Sequence, residues 1–511
     1  MARVLLIKPP WHALQNLRHE EIPLGLCYVA AVLRTANHTC LVFDGDLGYG
    51  DSTKHETIIT DYEYYLKALH IDHPIWTKTR RVVNEFEPDI VGITVMTAAY
   101  GAAMNVAEIV KKHDPNISVI VGGPHPSLLP QETLRERCID VVVREEGEHT
   151  MLEVVKCLEE EGRLKKILGI SYKEKGKIYH NPPRPLIEDL DSLSFPARDL
   201  IYEKAAYDPN SFGFIFTSRG CPYNCIFCSS HKIWGRRVRF RSAENVVAEI
   251  NEIKRSFKTT FFRFNDDSFT VDKNRVFRIC DLLVKEKLGI KWMCDTRVDL
   301  LSRNLLQKMK EAGCIQVNLG IESGNPKILK LIKKGITLEQ ARRAIKITKD
   351  VGVSSHAYFM MGFPGETYEQ ILDTINFMKK AKPTTSCLSI VTPYPGTELY
   401  DIAKQQGLLP RENWAAFFHH SKKMKLTDKL TDNQFYRLVS EIQKMSDAQI
   451  IPQDIKSALL HPWQFLYRKC VEDYPRHPKS IPRDFALITS LLHTKISDKV
   501  KFDRGSRDEQ N

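Results

Sequence analysis

The chain has 511 residues, of which 42% are hydrophobic, and its 74 basic and 63 acidic side chains give a formal net charge of +11. This length predicts two or three domains with sizeable cores. No stretch approaches the roughly 18 uncharged apolar residues of a transmembrane helix, which argues against a membrane-spanning protein. The mild basic bias fits anionic cofactors, an acidic substrate or a membrane surface. No basic stripe with interleaved aromatics stands out, so no nucleic-acid partner is expected.

The first 150 residues or so alternate short apolar runs with helical patterns, such as Leu24–Leu33 and Met104–Lys112. Such alternation predicts a doubly wound parallel sheet, whose ligands bind beyond the carboxyl ends of the strands. The predicted strands are Arg3–Ile7, Cys40–Asp44, Asp89–Thr94, Ser118–Gly123 and Asp140–Val143.

Two of these strand ends carry residues of interest, Thr94 on one strand and the pair Gly122-Gly123 on the next. Two glycines let the backbone approach a large flat ligand closely, although a Gly-Gly pair alone is more typical of a plain turn. In order and context these segments resemble the cobalamin-binding domain, where a Ser/Thr segment and a Gly-Gly segment accept the nucleotide tail of the cofactor. The resemblance implies that role for Thr94, Gly122 and Gly123.

The loop after the first strand departs from that family, because Lys8–Ala13 lacks the Asp-x-His pair that ligates cobalt in many of its members. His12 could reach the cobalt, but a loop histidine is more often simply solvated. The lower cobalt ligand therefore stays open.

A bridge follows the predicted sheet. Arg144–Glu148 resembles the Gly-Glu-Gly-Glu turn of fused proteins of this class, and it also fits a helix start with acidic residues at the positive end of the dipole. Leu168–Tyr172 and Lys177–Tyr179 predict a hairpin.

Three cysteines, Cys221, Cys225 and Cys228, have the spacing C-x3-C-x2-C. Three thiolates so close can hold a [4Fe–4S] cluster and leave one iron open. Structural zinc usually takes four ligands in two pairs, and no second pair is near. A disulfide is also unexpected, since no secretory leader pattern follows Met1 and the chain is predicted to be cytoplasmic.

With Phe227 as the aromatic residue, this loop resembles the cluster loop of the radical S-adenosylmethionine (SAM) enzymes. The resemblance implies that the open iron binds the amino and carboxylate groups of SAM, and that the reduced cluster cleaves SAM to a 5′-deoxyadenosyl radical. It also implies an external electron donor such as flavodoxin or ferredoxin.

Strand–helix alternation returns around this loop, with polar and glycine residues just after the strands, which predicts a partial (β/α)6 barrel. The predicted strands are Phe214–Thr217, Phe261–Asn265, Cys314–Gly320, His356–Met361 and Leu388–Val391. The resemblance implies SAM contacts from Asp266, Asp267, Glu322, Ser323, Gly362 and Glu366. Singly, such residues are also typical of helix caps and tight turns.

Beyond residue 400 the pattern is helical and predicts a C-terminal cap. Leu460–Lys469 mixes aromatic and basic residues, as at a membrane interface or a substrate lid. Packing against the barrel is the commoner role of such a stripe.

We therefore expect a cobalamin-binding Rossmann-like domain at 1–160, a linker with a hairpin at 161–206, a radical SAM core at 207–400 and a helical region at 401–511. The leading hypothesis is methylation of an unactivated carbon, or of phosphorus, in a small-molecule or lipid substrate. Two alternatives stay open: a cobalamin-dependent radical SAM cyclisation or rearrangement without methyl transfer, and a non-catalytic iron–sulfur and cobalamin sensor.

Overall fold

The computed structural model describes residues 1–17, 19, 21–49, 62–409, 414–418, 421 and 423–442. In these residues two large sheets follow each other along the chain, and each has helices packed against it. The first sheet has seven strands: β1 (Arg3–Lys8), β2 (Thr39–Asp44), β3 (Ile90–Thr94), β4 (Ser118–Gly122), β5 (Val141–Val143), β6 (Ile170–Glu174) and β7 (Lys177–His180). Their spatial order is β2-β1-β3-β4-β5-β6-β7.

The five parallel strands of this first sheet confirm the predicted doubly wound architecture. Their apolar residues are buried on both faces, as the continuous hydrophobic runs require. The hairpin expected between the domains instead extends this sheet, because β6 pairs antiparallel with β5 and β7 with β6. The helices around the sheet are α1 (Leu24–Thr35), α2 (Tyr62–Leu69), α3 (Trp76–Phe86), α4 (Tyr100–His113), α5 (Pro124–Leu128), α6 (Pro130–Thr133) and α7 (Glu148–Glu159).

The second large sheet is the predicted partial barrel of six parallel strands. Its strands, together with the short pair β9–β10, are β8 (Phe214–Ile215), β9 (Ser218–Arg219), β10 (Arg239–Phe240), β11 (Phe261–Phe264), β12 (Lys291–Arg297), β13 (Cys314–Glu322), β14 (Ser354–Met361) and β15 (Thr385–Ile390). The order across the barrel is β15-β14-β13-β12-β11-β8. Strand β12 is absent from the sequence prediction. It alternates buried and partly exposed residues instead of forming an apolar run.

Helices cover the outside of the barrel, and local signals explain where several of them begin. Thr337 and Thr367 each form a capping box with a glutamine three residues on, and Ser242 caps a third helix. These side chains satisfy backbone N–H groups that the first turn would leave unpaired. The helices are α8 (Ser230–Ile233), α9 (Ala243–Phe257), α10 (Lys273–Lys285), α11 (Arg303–Glu311), α12 (Pro326–Leu331), α13 (Leu338–Val351), α14 (Tyr368–Ala381) and α15 (Glu398–Gln405).

After the barrel, a short 3-10 turn at Trp414–Ala416 and a helix at 432–442 belong to the predicted C-terminal cap. The aromatic and basic stripe Leu460–Lys469, with every other expectation beyond 442, lies outside the described residues. Within the part of the chain that the structure describes, no helix has both the length and the apolar character that a membrane span needs.

Candidate functional site

The cysteine loop follows the first barrel strand and is fixed at several points. The Ile226 N–H donates to Ile332 O at 3.1 Å, and the Leu399 N–H donates to Ile226 O at 2.9 Å. Cys225 is buried, while Cys221 and Cys228 are partly exposed. Within the described residues no cysteine forms a disulfide, so all three thiols are free to bind iron.

Two cations stand near these thiols. Burial raises the pKa values of all three cysteines, and that of Cys228 to about 12. The Arg297 guanidinium opposes this rise at Cys221 and Cys225, and the Lys334 ammonium opposes it at Cys225. An iron ligand must be a thiolate, so nearby positive charge favours the ligating form. The donor set and its electrostatics therefore fit a cluster with three thiolate ligands.

No three His, Cys, Asp or Glu side chains of the described residues converge as ligands of a single metal ion.

Gly220 lets the backbone turn into the cysteine loop, and we predict that Gly220→Ala lowers cluster loading. Its φ is +99°, and an added Cβ would lie 2.6 Å from Arg237 O. The left-handed conformation and the clash with backbone should cost about 1–3 kcal/mol and displace the loop. Iron and sulfide per chain after reconstitution measure the effect. Gly176→Ala is the matched control, because Gly176 has a φ of +77° but no atom within 4 Å of an added Cβ. Equal loading of the two variants would contradict the prediction.

Glu322 is the last residue of β13 and lies at a register shift in the pairing with β14. It is buried, its φ is +73°, and its Oε1 accepts a hydrogen bond from the Lys334 Nζ at 2.7 Å. Gly320 leaves the room for this pair, since a Cβ there would lie 2.7 Å from the Glu322 Oε1. The buried ion pair stands next to Cys225, where it could meet the polar end of SAM.

The two aspartates after β11 have different surroundings. The buried Asp266 carboxylate accepts four hydrogen bonds, two from Thr217 and two from Ser218. These bonds fill the capacity of a carboxylate, so Asp266 holds the strand that leads into the cysteine loop. Asp267 is exposed and accepts a hydrogen bond from the Ser230 hydroxyl, just beyond Cys228. Of the two, Asp267 is the one placed to meet a ligand.

The segment after β14 forms a self-contained turn. Glu366 is buried, and its Oε2 accepts hydrogen bonds from the N–H groups of Gly362 at 2.6 Å and Phe363 at 3.1 Å. The Phe363 ring lies 6.3 Å from the ring of Phe227 in the cysteine loop. The buried Ser323 hydroxyl is 3.1 Å from the Thr374 hydroxyl and accepts the Asn325 N–H. These polar groups stabilise the loops that surround the cysteines.

We predict that Glu366→Gln changes how stability depends on pH. Burial raises the pKa of Glu366 to about 7, because its Oε1 has no hydrogen-bond partner among the described residues. The folded state then binds a proton more tightly than the unfolded chain does, and stability falls as pH rises from about 4.3 to 7. The loss is roughly 3.5 kcal/mol, because one pKa unit corresponds to about 1.4 kcal/mol. The melting temperature of Glu366→Gln should equal that of the wild type at pH 5 and exceed it at pH 8. Glu108→Gln, at an exposed position, is the control; parallel melting curves at both pH values would refute the expectation.

The carboxyl edge of the first sheet brings together the residues expected to meet cobalamin. Thr94 ends β3, Gly122 ends β4, and Gly123 has a φ of +98°. A Cβ on Gly123 would lie 3.1 Å from the Thr94 Oγ1, so only glycine allows these two segments to lie this close. The Val95 N–H donates to Gly122 O and the His125 N–H to Val95 O, which ties the two strand ends together.

His12 lies at the same edge and is held by a carboxylate. Its Nδ1 is 3.0 Å from the Asp46 Oδ2, and its ring stacks on that of His19 at 3.9 Å. Burial would raise the pKa of Asp46, but the Lys8 ammonium and the His12 contact hold that pKa well below its usual range. A carboxylate behind a histidine orients the ring as in many metal sites. The carboxylate that holds the His12 ring therefore comes from Asp46 in the loop after β2, and not from an aspartate two residues before the histidine.

One further residue at this edge fits a large cofactor. Met96 is 57% exposed although it directly follows a buried strand, and an exposed apolar side chain suits the flat ring of cobalamin. His125, by contrast, is fully buried under the rings of Tyr100 and Trp414, and neither of its ring nitrogens has a hydrogen-bond partner in the described part of the chain.

Packing and buried ion pairs join the edges of the two sheets that carry the candidate sites. Helix α5, which follows Gly123, packs against α8, which follows Cys228. Arg219 precedes the cysteine loop and donates to Glu146, in the turn after β5, at 2.8 Å and to Glu148, the first residue of α7, at 2.5 Å. Arg239 donates to both oxygens of Glu146 at 2.9 Å. All four side chains of this quartet are buried.

Sequence reasoning missed the residues that act through tertiary contacts. Arg297 and Lys334 stand next to the cysteines but carry no motif of their own. The alternating pattern of β12 could have identified Arg297 as the residue at a strand end. Nothing in the local sequence around Lys334 indicates its ion pair with Glu322.

Comparisons with known proteins agree with both halves of the site. The model of the radical SAM superfamily matches residues 215–378, and that of the B12 binding domain matches residues 11–155. An uncharacterised methyltransferase of Pyrococcus horikoshii is 38% identical over 86% of this chain and 90% of its own length. The anaerobic magnesium-protoporphyrin IX monomethyl ester cyclase of Rubrivivax gelatinosus is 31% identical over 78% of this chain and 69% of its own length. The cytidylyl-2-hydroxyethylphosphonate methyltransferase of Streptomyces wedmorensis is 28% identical over 80% of this chain and 83% of its own length.

Solved structures share the fold. A radical SAM methyltransferase of Kitasatospora setae, with cobalamin and a [4Fe–4S] cluster bound, superposes with a TM-score of 0.64 at 18% identity. The match covers 80% of this chain and 76% of that one. The cobalamin-dependent SAM radical enzyme OxsB gives a TM-score of 0.59 at 19% identity, covering 88% of this chain and 62% of its own.

Proposed function

Because the chain belongs to the cobalamin-binding radical SAM enzymes, we propose that it transfers a methyl group to an unactivated carbon, or to phosphorus, of a small-molecule or lipid substrate. Its cofactors are a [4Fe–4S] cluster, SAM and cobalamin. When bound, the cluster and SAM supply the radical, and cobalamin supplies the methyl group. The observation that carries the proposal is the packing of α5, behind Gly123, against α8, behind Cys228, because methyl transfer needs both cofactors at one substrate.

The residues at the edges of the two sheets have different proposed roles. Cys221, Cys225 and Cys228 would hold the cluster, and the cations Arg297 and Lys334 would favour their thiolate forms. Glu322 and Asp267 would bind the polar end of SAM, with the turn at Gly362 as a further contact. At the other edge Thr94, Gly122 and Gly123 would accept the nucleotide tail of cobalamin, and His12 would contact the same cofactor.

The relatives support methyl transfer over the alternatives. The relative with 38% identity is called a methyltransferase, and another acts on a phosphonate. The cyclase, at 31% identity, is less similar than the first of these, and the match covers 69% of its length, less than for either methyltransferase. Since the relatives are enzymes, a sensor without turnover is disfavoured. An acidic carrier such as flavodoxin or ferredoxin is the proposed electron donor, supported by the net charge of +11.

Anaerobic reconstitution with cluster, cobalamin, reductant and SAM carrying a deuterated methyl group tests the proposal. We expect 5′-deoxyadenosine, measured by liquid chromatography and mass spectrometry, and the deuterated methyl group in the cobalamin fraction. Absence of 5′-deoxyadenosine would exclude a radical SAM reaction. Release of 5′-deoxyadenosine with no label on cobalamin would favour the cyclase.

A further inference from the structure

The cysteine loop is joined to the end of α12 at two points. The Ile226 N–H in the loop donates to Ile332 O, just after the helix, at 3.1 Å. The Arg297 guanidinium donates to Lys334 O at 2.9 Å and lies 3.6 Å from the centre of the Tyr223 ring, which belongs to the loop. These contacts place α12 immediately beside the loop that carries the three cysteines.

The outer side of α12 is basic around an apolar centre. Ile328 and Leu329 are buried, whereas Leu331 is 44% exposed. Positions i, i+3 and i+4 of a helix share one face, and here they hold two lysines and Leu331. A third lysine follows the helix, and all three lysines are exposed. We call these four residues the lysine face: Lys327, Lys330, Leu331 and Lys333.

Most of the positive charge of the lysine face is not paired. Lys333 forms an ion pair with Glu398 at 2.7 Å, and both side chains are exposed. Among the described residues, Lys327 and Lys330 have no ion pair. Asp373, next to the start of α12, accepts a hydrogen bond from the Asn325 amide at 2.8 Å. The face therefore presents two unpaired ammonium groups on either side of its apolar centre.

The cysteine loop itself reaches the protein surface. Pro222 and Asn224 lie between the first two cysteines, and both are exposed. An electron that enters the cluster from another protein must cross a short distance, so the donor has to dock where this loop meets solvent. Electron-transfer partners form small, transient interfaces, and an apolar centre with a charged rim is typical of docking surfaces.

The place and the size of the lysine face favour a protein over a membrane. A helix that binds a membrane surface needs a broad apolar side beside its basic residues. Helix α12 has six residues, and Leu331 is the one large apolar side chain that is exposed on it. A membrane would also gain nothing from the contact between this helix and the cysteine loop.

We infer that the lysine face is the docking surface for a small acidic protein that carries one electron to the cluster. The inference rests on the proposed function, which requires that electron, and it adds the place where the partner binds. In the transfer the carrier is oxidised by one electron and the cluster is reduced by one, and no atom moves between the two proteins.

Charge reversal at the lysine face tests the inference by binding. The dissociation constants of an acidic flavodoxin and an acidic ferredoxin, both oxidised, are measured by calorimetry on the full chain with its cluster. We expect Lys327→Glu with Lys330→Glu to weaken binding about tenfold or more at low salt, because two attractions become repulsions. At about 1 M salt the screening length falls to roughly 3 Å, so the difference from the wild type should shrink to about twofold or less.

Lys346→Glu with Lys349→Glu is the matched control. These two lysines are exposed on α13 with the same spacing of three residues, and their reversal changes the net charge by the same amount. That end of α13 leads into β14 and so lies at the opposite edge of the barrel from the cysteine loop. The control should bind the carriers within about twofold of the wild type, since its charges are more than a screening length from the face.

The source of the electron separates docking from chemistry. With dithionite, which is small and needs no docking surface, the wild type and Lys327→Glu with Lys330→Glu should form 5′-deoxyadenosine at equal rates. With a pre-reduced carrier as the sole reductant, the same variant should need about tenfold more carrier for its half-maximal rate. Its rate at saturating carrier should stay that of the wild type, because the residues around the cluster are unchanged.

Three results would overturn the inference. The first is equal carrier affinity in the two double variants, and the second is failure of both carriers to bind the wild type. The third is binding of phosphatidylglycerol vesicles that is lost with Lys327→Glu and Lys330→Glu while carrier affinity persists, which would identify a membrane contact instead. A wild type that binds a carrier through the lysine face but forms no 5′-deoxyadenosine with dithionite would contradict the proposed function and leave the docking surface standing.

Discussion

Replacing Cys225 by alanine is expected to abolish 5′-deoxyadenosine formation, a loss of at least about a thousand-fold. Cys225 is the most buried of the three loop cysteines, and its thiol lies within the electrostatic influence of Lys334 and Glu322. With two thiolates left, one more iron of the cluster lacks its protein ligand. Iron and sulfide content, the visible absorbance of the cluster and 5′-deoxyadenosine should fall together.

Cys280→Ala is the matched control, because Cys280 is also buried but lies in α10, away from the loop. That variant should keep its cluster and its SAM cleavage, with at most a modest loss of stability from the small cavity. Cobalamin binding should survive in both variants, since its residues belong to the other sheet. If Cys225→Ala still released 5′-deoxyadenosine, the loop would not hold the catalytic cluster.

The fold was largely predictable because its signals are local. The strands of the first sheet are apolar runs, and buried parallel strands have this pattern. Strand β12 was missed because the polar residues Lys291, Asp295 and Arg297 interrupt its apolar run.

The site was less predictable because its groups meet through the fold. The C-x3-C-x2-C spacing identifies the cysteines, since one short loop holds all three. Whether an acidic residue at a strand end faces a ligand depends on its neighbours in space. The hydrogen-bonding capacity of the Asp266 carboxylate is used by Thr217 and Ser218, which are 49 and 48 residues away in the sequence. The ion pair of Glu322 with Lys334 and the contacts of Glu146 with two arginines likewise have no local signature.

Replacing Glu146 by alanine is expected to cost about 3–5 kcal/mol of stability, because it leaves buried guanidinium charge without its partner. Glu146 accepts hydrogen bonds from Arg219, from Arg239 and, at 2.6 Å, from the Ile187 N–H. The melting temperature should fall by roughly 10 °C. Glu188→Ala removes an exposed carboxylate from an ion pair with Arg237 and should change stability by less than about 1 kcal/mol. A Glu146→Ala variant as stable as Glu188→Ala would contradict the expectation.

The same substitution should also weaken SAM cleavage, because Arg219 is two residues from Cys221 and is held by Glu146 and Glu148 from the first sheet. A second change separates lost charge balance from lost packing. If the unpaired cation is the main cost, Glu146→Ala with Arg239→Met should be more stable than Glu146→Ala alone, because the guanidinium that lost its partner is gone. If the effects of the two substitutions on stability are additive, packing and not charge balance stabilises the contact between the sheets at this point. A double variant that recovers stability but not 5′-deoxyadenosine formation would show that the quartet also positions the cysteine loop.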